Sequence, residues 1–244
     1  MDKQTQNELL AIVRRNYEEI ADEFQATREK PLWPELVNLA RIAKDGDRVL
    51  DIGCGNGRLL QALLLKKIYY LGLDQNQALL DFARRKYPDK IFRVGDILRL
   101  GEVPEMNFDL VFVVAVLHHL PGSDLQTAAL RQLKNKIKPN GRIIILVWNL
   151  RAQKKFRWLV WKFSLLKLIG KNRMDRGDII FSWKNTDRSA LSQRYYHAFR
   201  QKELKKLIRQ AGLKVEKIYS DCYISTRSPT NDYEIKPRTI FSLG

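Results

Sequence analysis

Short apolar runs alternate with amphipathic stretches between residues 45 and 150. Five of the runs are rich in Val, Ile and Leu, and they end at Ile52, Asp74, Val94, Ala115 and Trp148. Runs without polar alternation are typical of parallel strands that are covered on both faces. Between them, apolar residues recur at the spacing of amphipathic helices, at 59–67, 78–87 and 125–137. This order predicts an α/β fold, a doubly wound parallel sheet with helices on both faces.

The pattern changes on either side of this core. At the N-terminal side, helical spacing over 3–24 precedes two prolines, and a short helix follows at 36–43. Further on, the sequence predicts a turn at 138–141, a helix at 154–171, a loop at 170–188, a helix at 202–211 that Gly212 closes, and strands at 213–219 and 238–243. These boundaries give four parts: an N-terminal helical lid (1–44), a nucleotide-binding core (45–149), an insertion (150–193) and a C-terminal part (194–244).

A glycine-rich turn follows the first strand of the core. Gly53, Gly55 and Gly57 stand at alternate positions directly after the strand that contains Asp51. Glycines are needed there because a Cβ would block the close approach of the backbone to a ligand or forbid the required φ. A strand, a turn of this kind and a helix together bring backbone N–H groups against a nucleotide-like ligand. The residues alone leave an NAD-type domain or a purely structural turn open, although the spacing differs from the dinucleotide G-x-G-x-x-G.

Positive charge is concentrated in one part of the chain. The sequence has 44 Lys and Arg residues against 27 Asp and Glu residues, a net charge of +17. Residues 151–220 contain 19 basic and 5 acidic residues and so carry +14, which leaves only +3 for residues 1–150, because residues 221–244 are balanced. Excess charge confined to one segment predicts a surface that binds a polyanion.

The helix predicted at 154–171 interleaves aromatic and aliphatic residues with lysines. This composition leaves three alternatives open. The helix clamps RNA, with lysines on phosphates and tryptophans stacked on bases. It lies on an anionic membrane surface. Its apolar face simply packs on the domain.

Cysteine usage and the N-terminal sequence bear on the compartment. Two cysteines distant in sequence, Cys54 and Cys222, argue against a disulfide framework and against a Cys-rich zinc site. Residues 1–8 are polar, which does not fit a signal peptide. No apolar run reaches the ~18 residues that a membrane span needs. The sequence therefore predicts a cytoplasmic protein without a transmembrane segment and without a metal site.

Acidic residues complete a motif around the glycine turn. Asp51 opens it, Asp74 ends the next strand, and Asp96 stands in a Gly-Asp-Ile sequence further on. This D-x-G-x-G-x-G … D … G-D-I series resembles the Rossmann-like class I S-adenosylmethionine-dependent methyltransferases over residues 45 to 150. The resemblance implies S-adenosyl-L-methionine as the cofactor, with Asp74 accepting the ribose hydroxyls and Asp96 meeting the adenine. The implied cofactor-binding residues are Tyr17, Arg28, Asp51, Gly53, Cys54, Gly55, Asn56, Gly57, Asp74, Gln75, Asp96, Ile97 and Ala115.

Four further features coincide outside this motif. They are Tyr17-x-x-Ile20-Ala21-x-x-Phe24 with Thr27-Arg28, Leu117-His118-His119-Leu120, Val147-Trp148, and Arg194-Tyr195-Tyr196-His197. Together they resemble the eukaryotic-type tRNA wobble-uridine carboxymethyl methyltransferases, from about residue 15 to 220. One departure is the family's Lys-Pro-Trp-Pro, which is one residue longer here. The resemblance implies tRNA as a partner, esterification of a carboxymethyl-modified wobble uridine, and a small zinc-binding activator protein that works with some relatives.

Two short clusters are the candidate catalytic residues. They are His118 and His119 after the fourth strand, and Arg194, Tyr195, Tyr196 and His197. A carboxylate acceptor is ionised at neutral pH and needs no strong base, so the second cluster is expected to position it with a cation, two hydroxyls and an imidazole. A neutral N–H or O–H acceptor would instead make one of the adjacent histidines a natural base. A small-molecule or lipid O-/N-methyltransferase at a membrane surface, and a non-catalytic RNA-binding module, are the alternative functions.

Overall fold

The structure is a computed structural model that describes residues 1–19, 32–184, 191–220 and 237–243. The predicted site residue Arg28, the last five residues (20–24) of the helix predicted at 3–24, and the cysteine at position 222 lie outside these ranges. Within them, the N-terminal helix ends at Glu19.

Within the described residues, the main sheet has seven strands in the order β3-β2-β1-β4-β5-β9-β8. The strands are β1 (Arg48–Ile52), β2 (Tyr69–Asp74), β3 (Ile91–Val94), β4 (Phe108–Val114), β5 (Ile137–Trp148), β8 (Val215–Ser220) and β9 (Pro237–Leu243). β1 to β5 pair in parallel, and β9 runs antiparallel to both β5 and β8. The predicted doubly wound parallel sheet is confirmed.

Helices flank the sheet at most of the expected places. They are α1 (Lys3–Glu19), α2 (Pro34–Ala40), α3 (Gln77–Lys86), α4 (Ser123–Lys134), α5 (Lys154–Leu168) and α6 (Gln201–Gln210). The core lies on both sides of the sheet, with Leu50 and Val111 in one apolar cluster and Val49 and Phe112 in the other. Among the described residues, no helix has the length and apolar character that crossing a bilayer would require.

The central strands bring their carboxyl ends to one edge of the sheet. Ile52 of β1 is in register with Leu73 of β2 on one side and with Val113 of β4 on the other. The residues that follow these strands therefore meet at the same edge, where ligands bind in open α/β sheets.

The segment after the glycine turn differs from the prediction. An α-helix to about residue 67 was expected, but the structure has a 3₁₀ helix at Arg58–Ala62. Gly57 precedes it in a left-handed conformation, and Leu63 N–H donates to Leu60 C=O, the i to i+3 bond of a tighter helix. This path buries Leu59, Leu60 and Leu63 and leaves Leu64 and Leu65 exposed, so the leucine spacing did not come from a continuous α-helical face.

The turn predicted at 138–141 is instead part of β5. Ile137 pairs with Phe108, and the next pair is Arg142 with Leu110, so β5 accommodates extra residues there. A Cβ on Gly141 would lie 2.7 Å from the Phe108 carbonyl oxygen, which explains why glycine stands at this irregularity.

The loop predicted at 170–188 is wrong in its second half. Residues Asp178–Lys184 form β6, which pairs antiparallel with β7 (Leu191–His197) in a separate two-stranded ribbon. Ile179 and Phe181 are buried, while Ile180 and Ser182 are more accessible, which is strand periodicity. The signal was present in the sequence, but a strand needs its partner, and no partner was predicted at 191–197. β7 also crosses the predicted boundary between 193 and 194.

Candidate active site

The glycine turn forms a tight cradle at the edge where β1 ends. Gly53, Gly55 and Gly57 have φ values of 67°, 53° and 75°, in the left-handed region that L side chains rarely adopt. The N–H groups of Gly53 and Cys54 donate to the Leu73 carbonyl at 2.7 and 3.1 Å, so the turn is fastened to β2. A Cβ on Gly53 would lie 2.3 Å from Cγ2 of Val116. The backbone here has its shape because all three positions are glycine.

Asp74, at the end of β2, lies against this turn. Its Oδ2 accepts the Gly55 N–H and its Oδ1 accepts the Asn76 N–H, both at 2.8 Å. Burial raises the pKa of Asp74, and the backbone hydrogen bonds from Asn76 and Gly55 oppose that shift. Each carboxylate oxygen has two lone pairs, so both retain acceptor capacity for a hydroxyl group.

Asp51 is a buried carboxyl group inside β1. The Tyr70 hydroxyl donates to its Oδ2 at 2.8 Å. Burial raises the pKa of Asp51 to about 7, although the Tyr70 hydrogen bond lowers it, so the group changes charge near neutral pH. Asp51 lies under the glycine turn with Tyr70 as its hydrogen-bond partner.

The remaining predicted cofactor-binding residues lie on the same edge. The Asp96 side chain accepts the Leu98 N–H at 2.8 Å and caps the short 3₁₀ segment that follows β3. Ala115, directly after β4, has a φ of 59°, an uncommon conformation for an alanine that is often found at functional sites. The others are placed as follows: Cys54, Asn56 and Ile97 are buried, and Gln75 is exposed.

Helix α1 reaches across this edge through Tyr17. The Asn76 side-chain amide donates to the Tyr17 carbonyl at 2.9 Å, and the Tyr17 hydroxyl shares a 2.9 Å hydrogen bond with Nε2 of His119. One residue of α1 therefore joins the end of β2 to the end of β4. Further along the helix, Gln6 donates to Asp124 at the start of α4, and Asn16 bonds to Ser192 of β7.

His118 and His119 form a buried aromatic cluster after β4. Their ring centroids are 4.5 Å apart, and the Tyr196 ring lies 5.1 Å from His118 and 5.0 Å from His119. Burial lowers the pKa of His118 well below its usual value and that of His119 to about 3, so both imidazoles are neutral. Neither ring nitrogen of His118 has a hydrogen-bond partner in the described part of the chain. A buried, unsatisfied imidazole at this edge is a candidate ligand contact.

The four residues Arg194 to His197 are not brought together. Tyr196 faces the histidine pair, and Arg194 acts electrostatically on His119. Tyr195 and His197 instead converge on Asp178: the Tyr195 hydroxyl donates to Asp178 Oδ1 at 2.8 Å, and Nδ1 of His197 bonds to the same oxygen at 2.6 Å. Successive residues of a strand point to opposite faces, so Tyr195 and His197 share the face of β7 opposite to that of Tyr196.

His197 is held by two carboxylates. Besides Asp178, its Nε2 bonds to Glu203 of α6 at 2.9 Å. Burial lowers the pKa of His197, but the hydrogen bonds to Asp178 and Glu203 outweigh it and raise the pKa to about 9. The imidazolium therefore joins the ribbon to α6 as a buried ion cluster.

Sequence reasoning missed several residues of this arrangement. Asn76 had a usable signal, because Asn directly before a helix is a common N-cap, and its side chain does accept the Leu79 N–H. Tyr70, Asp178 and Glu203 had none. Each is 19 or fewer residues from its partner in sequence, but only the packing of neighbouring strands, or of β7 against α6, brings the pairs together.

The site fits the cofactor that the resemblance implies. S-adenosyl-L-methionine has ribose hydroxyls, an adenine amine and a cationic sulfonium. Carboxylates at Asp74 and Asp96 with spare lone pairs suit the hydroxyls and the amine. The glycine turn leaves its backbone bare for close approach. The nitrogens of His118 have no hydrogen-bond partner among the described residues, so this edge holds a buried polar group that a ligand could satisfy.

Comparison with known proteins gives relatives that are named as methyltransferases. A family model described as a methyltransferase domain matches residues 50–145. The chain is 34% identical to tRNA (carboxymethyluridine(34)-5-O)-methyltransferase ALKBH8 of Mus musculus, over 68% of this chain and 23% of that protein. It is 33% identical to the Saccharomyces cerevisiae tRNA (carboxymethyluridine(34)-5-O)-methyltransferase, over 57% of this chain and 48% of that protein. The chain thus spans less than half the length of these two curated relatives.

A third relative is similar over most of both chains. It is named "Putative methyltransferase" of Encephalitozoon cuniculi, and it is 31% identical over 83% of this chain and 87% of its own length.

Two solved structures have the same fold. An S-adenosylmethionine-dependent methyltransferase of Methanosarcina mazei superimposes with a TM-score of 0.65 at 16% identity, covering 88% of this chain and 97% of that one. A structure titled "Complex between the Haloferax volcanii Trm112 methyltransferase activator and the putative methyltransferase" superimposes with a TM-score of 0.55 at 21% identity, covering 86% of this chain and 88% of that one. Since one relative that is 31% identical matches over most of both chains, and the family model covers the strands that build the cradle, the chain belongs to the methyltransferases.

Proposed function

We propose that this methyltransferase acts on tRNA and esterifies a carboxymethyl-modified wobble uridine in the anticodon. The observation that carries the proposal is the segment 151–220. It holds a net charge of +14, and it also supplies Arg194 and Tyr196 to the neighbourhood of the histidine pair. The relatives named for carboxymethyluridine(34) in tRNA support the same substrate.

The cofactor-binding roles of the edge residues are part of the proposal. Asp74 holds the ribose hydroxyls and Asp96 the adenine amine, while the bare backbone of Gly53 and Gly55 lets the ligand approach. When bound, the cofactor supplies a methyl group already activated on a sulfonium. The protein therefore has mainly to bind, orient and exclude water at the ends of β1, β2 and β4.

The neutral histidines favour a carboxylate acceptor over a neutral one. A general base works best when its pKa is near the operating pH, and burial lowers the pKa of His119 to about 3. Such a group is a poor base for an alcohol or an amine. A carboxylate is already ionised at neutral pH and needs no base. It does need a cation, and Arg194, which is always charged, is that cation beside His119.

A pair of tyrosine variants tests the role of β7. Tyr196→Phe keeps the ring that lies against the histidine pair and removes only the hydroxyl, so stability is expected to change little. The rate of methyl transfer to tRNA is expected to fall about tenfold or more, because that hydroxyl is the group proposed to position the acceptor. Tyr195→Phe is the matched control. It removes a buried hydrogen bond to Asp178 and is expected to cost about 1–2 kcal/mol of stability, with the activity of the folded fraction retained.

The measurement is nucleoside mass spectrometry of bulk tRNA incubated with enzyme and labelled cofactor, beside thermal unfolding of both variants. A methyl ester on 5-carboxymethyluridine is the expected product. Methylation of another nucleoside, or no binding of tRNA above that of a neutral control protein at moderate salt, contradicts the proposed substrate. Full activity of Tyr196→Phe contradicts the proposed role of Tyr196 in positioning the methyl acceptor.

We also propose that a small activator protein, implied as zinc-binding by the resemblance, pairs with β3. Among the described strands, β3 forms one edge of the main sheet, and its side chains Ile91 and Val94 are exposed. An exposed apolar edge strand offers unpaired backbone groups to another chain. The Haloferax volcanii complex supports the existence of such assemblies among proteins of this fold.

Coexpression with a Trm112-type activator tests this edge. An Ile91→Lys/Val94→Lys variant is expected to lose copurification of the activator, because two charges on an edge strand oppose pairing. Leu65→Lys is the control, since Leu65 is an apolar residue with 98% exposure on another part of the surface. Equal copurification with both variants excludes the β3 edge as the contact.

The cytoplasmic compartment stays a prediction. It rests on the use of cysteine: Cys54 is buried as a free thiol in the glycine turn, and burial raises its pKa well above the usual value, which leaves it unreactive.

A further inference from the structure

Helix α5 is apolar on two opposite sides. Its inner side packs Phe156 and Val160 into the cluster that contains Trp148 and Tyr196. Opposite them, large apolar side chains recur at three- and four-residue spacing and face solvent. We call these residues the outer face of α5, and they are Trp158, Trp161, Leu165, Leu168 and Ile169, the last directly after the helix. Trp158 is 56%, Trp161 62% and Leu168 73% exposed. Within the described part of the chain, this side of the helix therefore has no apolar cover.

Charge around the outer face has one sign. Lys154, Arg157 and Lys162 are exposed beside the apolar stripe, and Nζ of Lys162 lies 5.4 Å from the centre of the Trp158 ring. No acidic residue occurs between positions 151 and 174. An apolar stripe bordered by cations complements a partner that offers apolar groups to the stripe and anionic groups to the cations beside it.

Contacts at both ends of helix α5 hold it against the rest of the protein. Phe156 packs edge-on against Phe181 of β6 with ring centroids 5.2 Å apart. At the other end, Nζ of Lys167 donates to the Met174 carbonyl at 2.6 Å, and the Asn172 amide donates to the Phe163 carbonyl at 2.9 Å. The outer face is thus held toward solvent by contacts on the opposite side.

We propose that the outer face of α5 docks on an anionic lipid bilayer and lies in its interface. Tryptophan, leucine and isoleucine on one side with lysines along the border are the side chains that interfacial helices use. RNA would employ the tryptophans but gains no stacking from Leu165, Leu168 or Ile169, which have no aromatic face. A second copy of the chain would bring like cations together across a twofold interface.

Vesicle binding by the full chain tests this proposal. The protein is expected to sediment with phosphatidylcholine vesicles that contain phosphatidylserine and to remain in solution with phosphatidylcholine alone. Trp158→Ser/Trp161→Ser is expected to weaken binding about tenfold or more, and Lys154→Gln/Lys162→Gln to weaken it about fivefold for each charge removed. Leu65→Ser is the matched control, because it removes an apolar side chain with 98% exposure elsewhere and leaves vesicle binding unchanged.

Several results would overturn the proposal. Equal binding to both kinds of vesicle removes the role of the cations. Loss of tRNA affinity in the tryptophan double variant, without vesicle binding by the parent protein, assigns the face to RNA. A dimer in solution that the same variant dissociates assigns it to a second copy. Cofactor affinity, measured in parallel, is expected to stay unchanged in every α5 variant, which separates this inference from the proposed function.

Discussion

Gly53→Ala is expected to weaken binding of S-adenosyl-L-methionine about 100-fold or more and to cost about 1–3 kcal/mol of folding stability. Two effects add at this position. The backbone has a φ of 67°, which alanine adopts only with strain. The added Cβ would lie 2.3 Å from Cγ2 of Val116, so either the turn or the segment after β4 must move. Both line the proposed cofactor site.

Gly46→Ala is the matched control for this variant. Gly46 also has a positive φ, of 88°, but a Cβ there meets nothing within 4 Å. It is expected to show a loss of stability of about 1–2 kcal/mol from backbone strain alone, with cofactor affinity unchanged. Isothermal titration of the cofactor and urea unfolding measure the two quantities. Similar cofactor affinities in the two variants would show that the Gly53 turn does not form the cofactor site.

His197→Ala is expected to destabilise the protein by about 3–5 kcal/mol. The substitution leaves Asp178, which is fully buried, without the partner 2.6 Å away, and it detaches Glu203 of α6 from the ribbon. An uncompensated charge in the interior is the costly part of such a change. Glu216→Gln is the control, since it removes the exposed ion pair with Arg142 and is expected to cost about 0–1 kcal/mol. A loss below about 1 kcal/mol for His197→Ala in urea unfolding would contradict the buried cluster.

The same histidine gives stability a definite dependence on pH. Its pKa is about 9 in the folded protein, above the value of about 6.5 in an unfolded chain. The folded state therefore binds the proton more tightly, and the stabilisation is fully present below pH 6.5. It is lost as the pH rises through 9, by on the order of 3 kcal/mol. Asp51, with a pKa of about 7, titrates in the same window, so the contribution of His197 is the difference between the parent and His197→Ala at each pH.

Local sequence signals predicted the parallel core well. The apolar runs of β1, β2 and β4 and the inner faces of α3 and α4 are buried on the sheet, and for that reason their composition carries the information. The edge strand β3 buries only Phe92. Gly212 closed α6 as expected and has a φ of 73°. The proximity of Asp74 to the glycine turn could be predicted from the sequence, because adjacent parallel strands end at the same edge of the sheet.

The ribbon and its buried ions could not be predicted in the same way. β6 and β7 pair with each other in a separate ribbon. They do not alternate with helices as the parallel strands of the main sheet do, so no helical pattern marks the boundary between them. The four residues from Arg194 to His197 were predicted to form one site, but the pleat of β7 divides them between two faces. Tyr195 and His197 lie on the face where both bond to Asp178. A partner 17 or 19 residues away leaves no periodic trace in the chain.

The position of β9 has a consequence for synthesis. β9 lies between β5 and β8, although it follows both in the chain. While the polypeptide is emerging from the ribosome, β8 is made before the strand that connects it to the sheet. Until residues 237–243 arrive, the apolar edge of β5 is bare and β8 has no neighbour to pair with. The cradle strands β1 to β4 are complete long before that, so the nascent chain passes through a stage in which a formed ligand edge coexists with an open, aggregation-prone border.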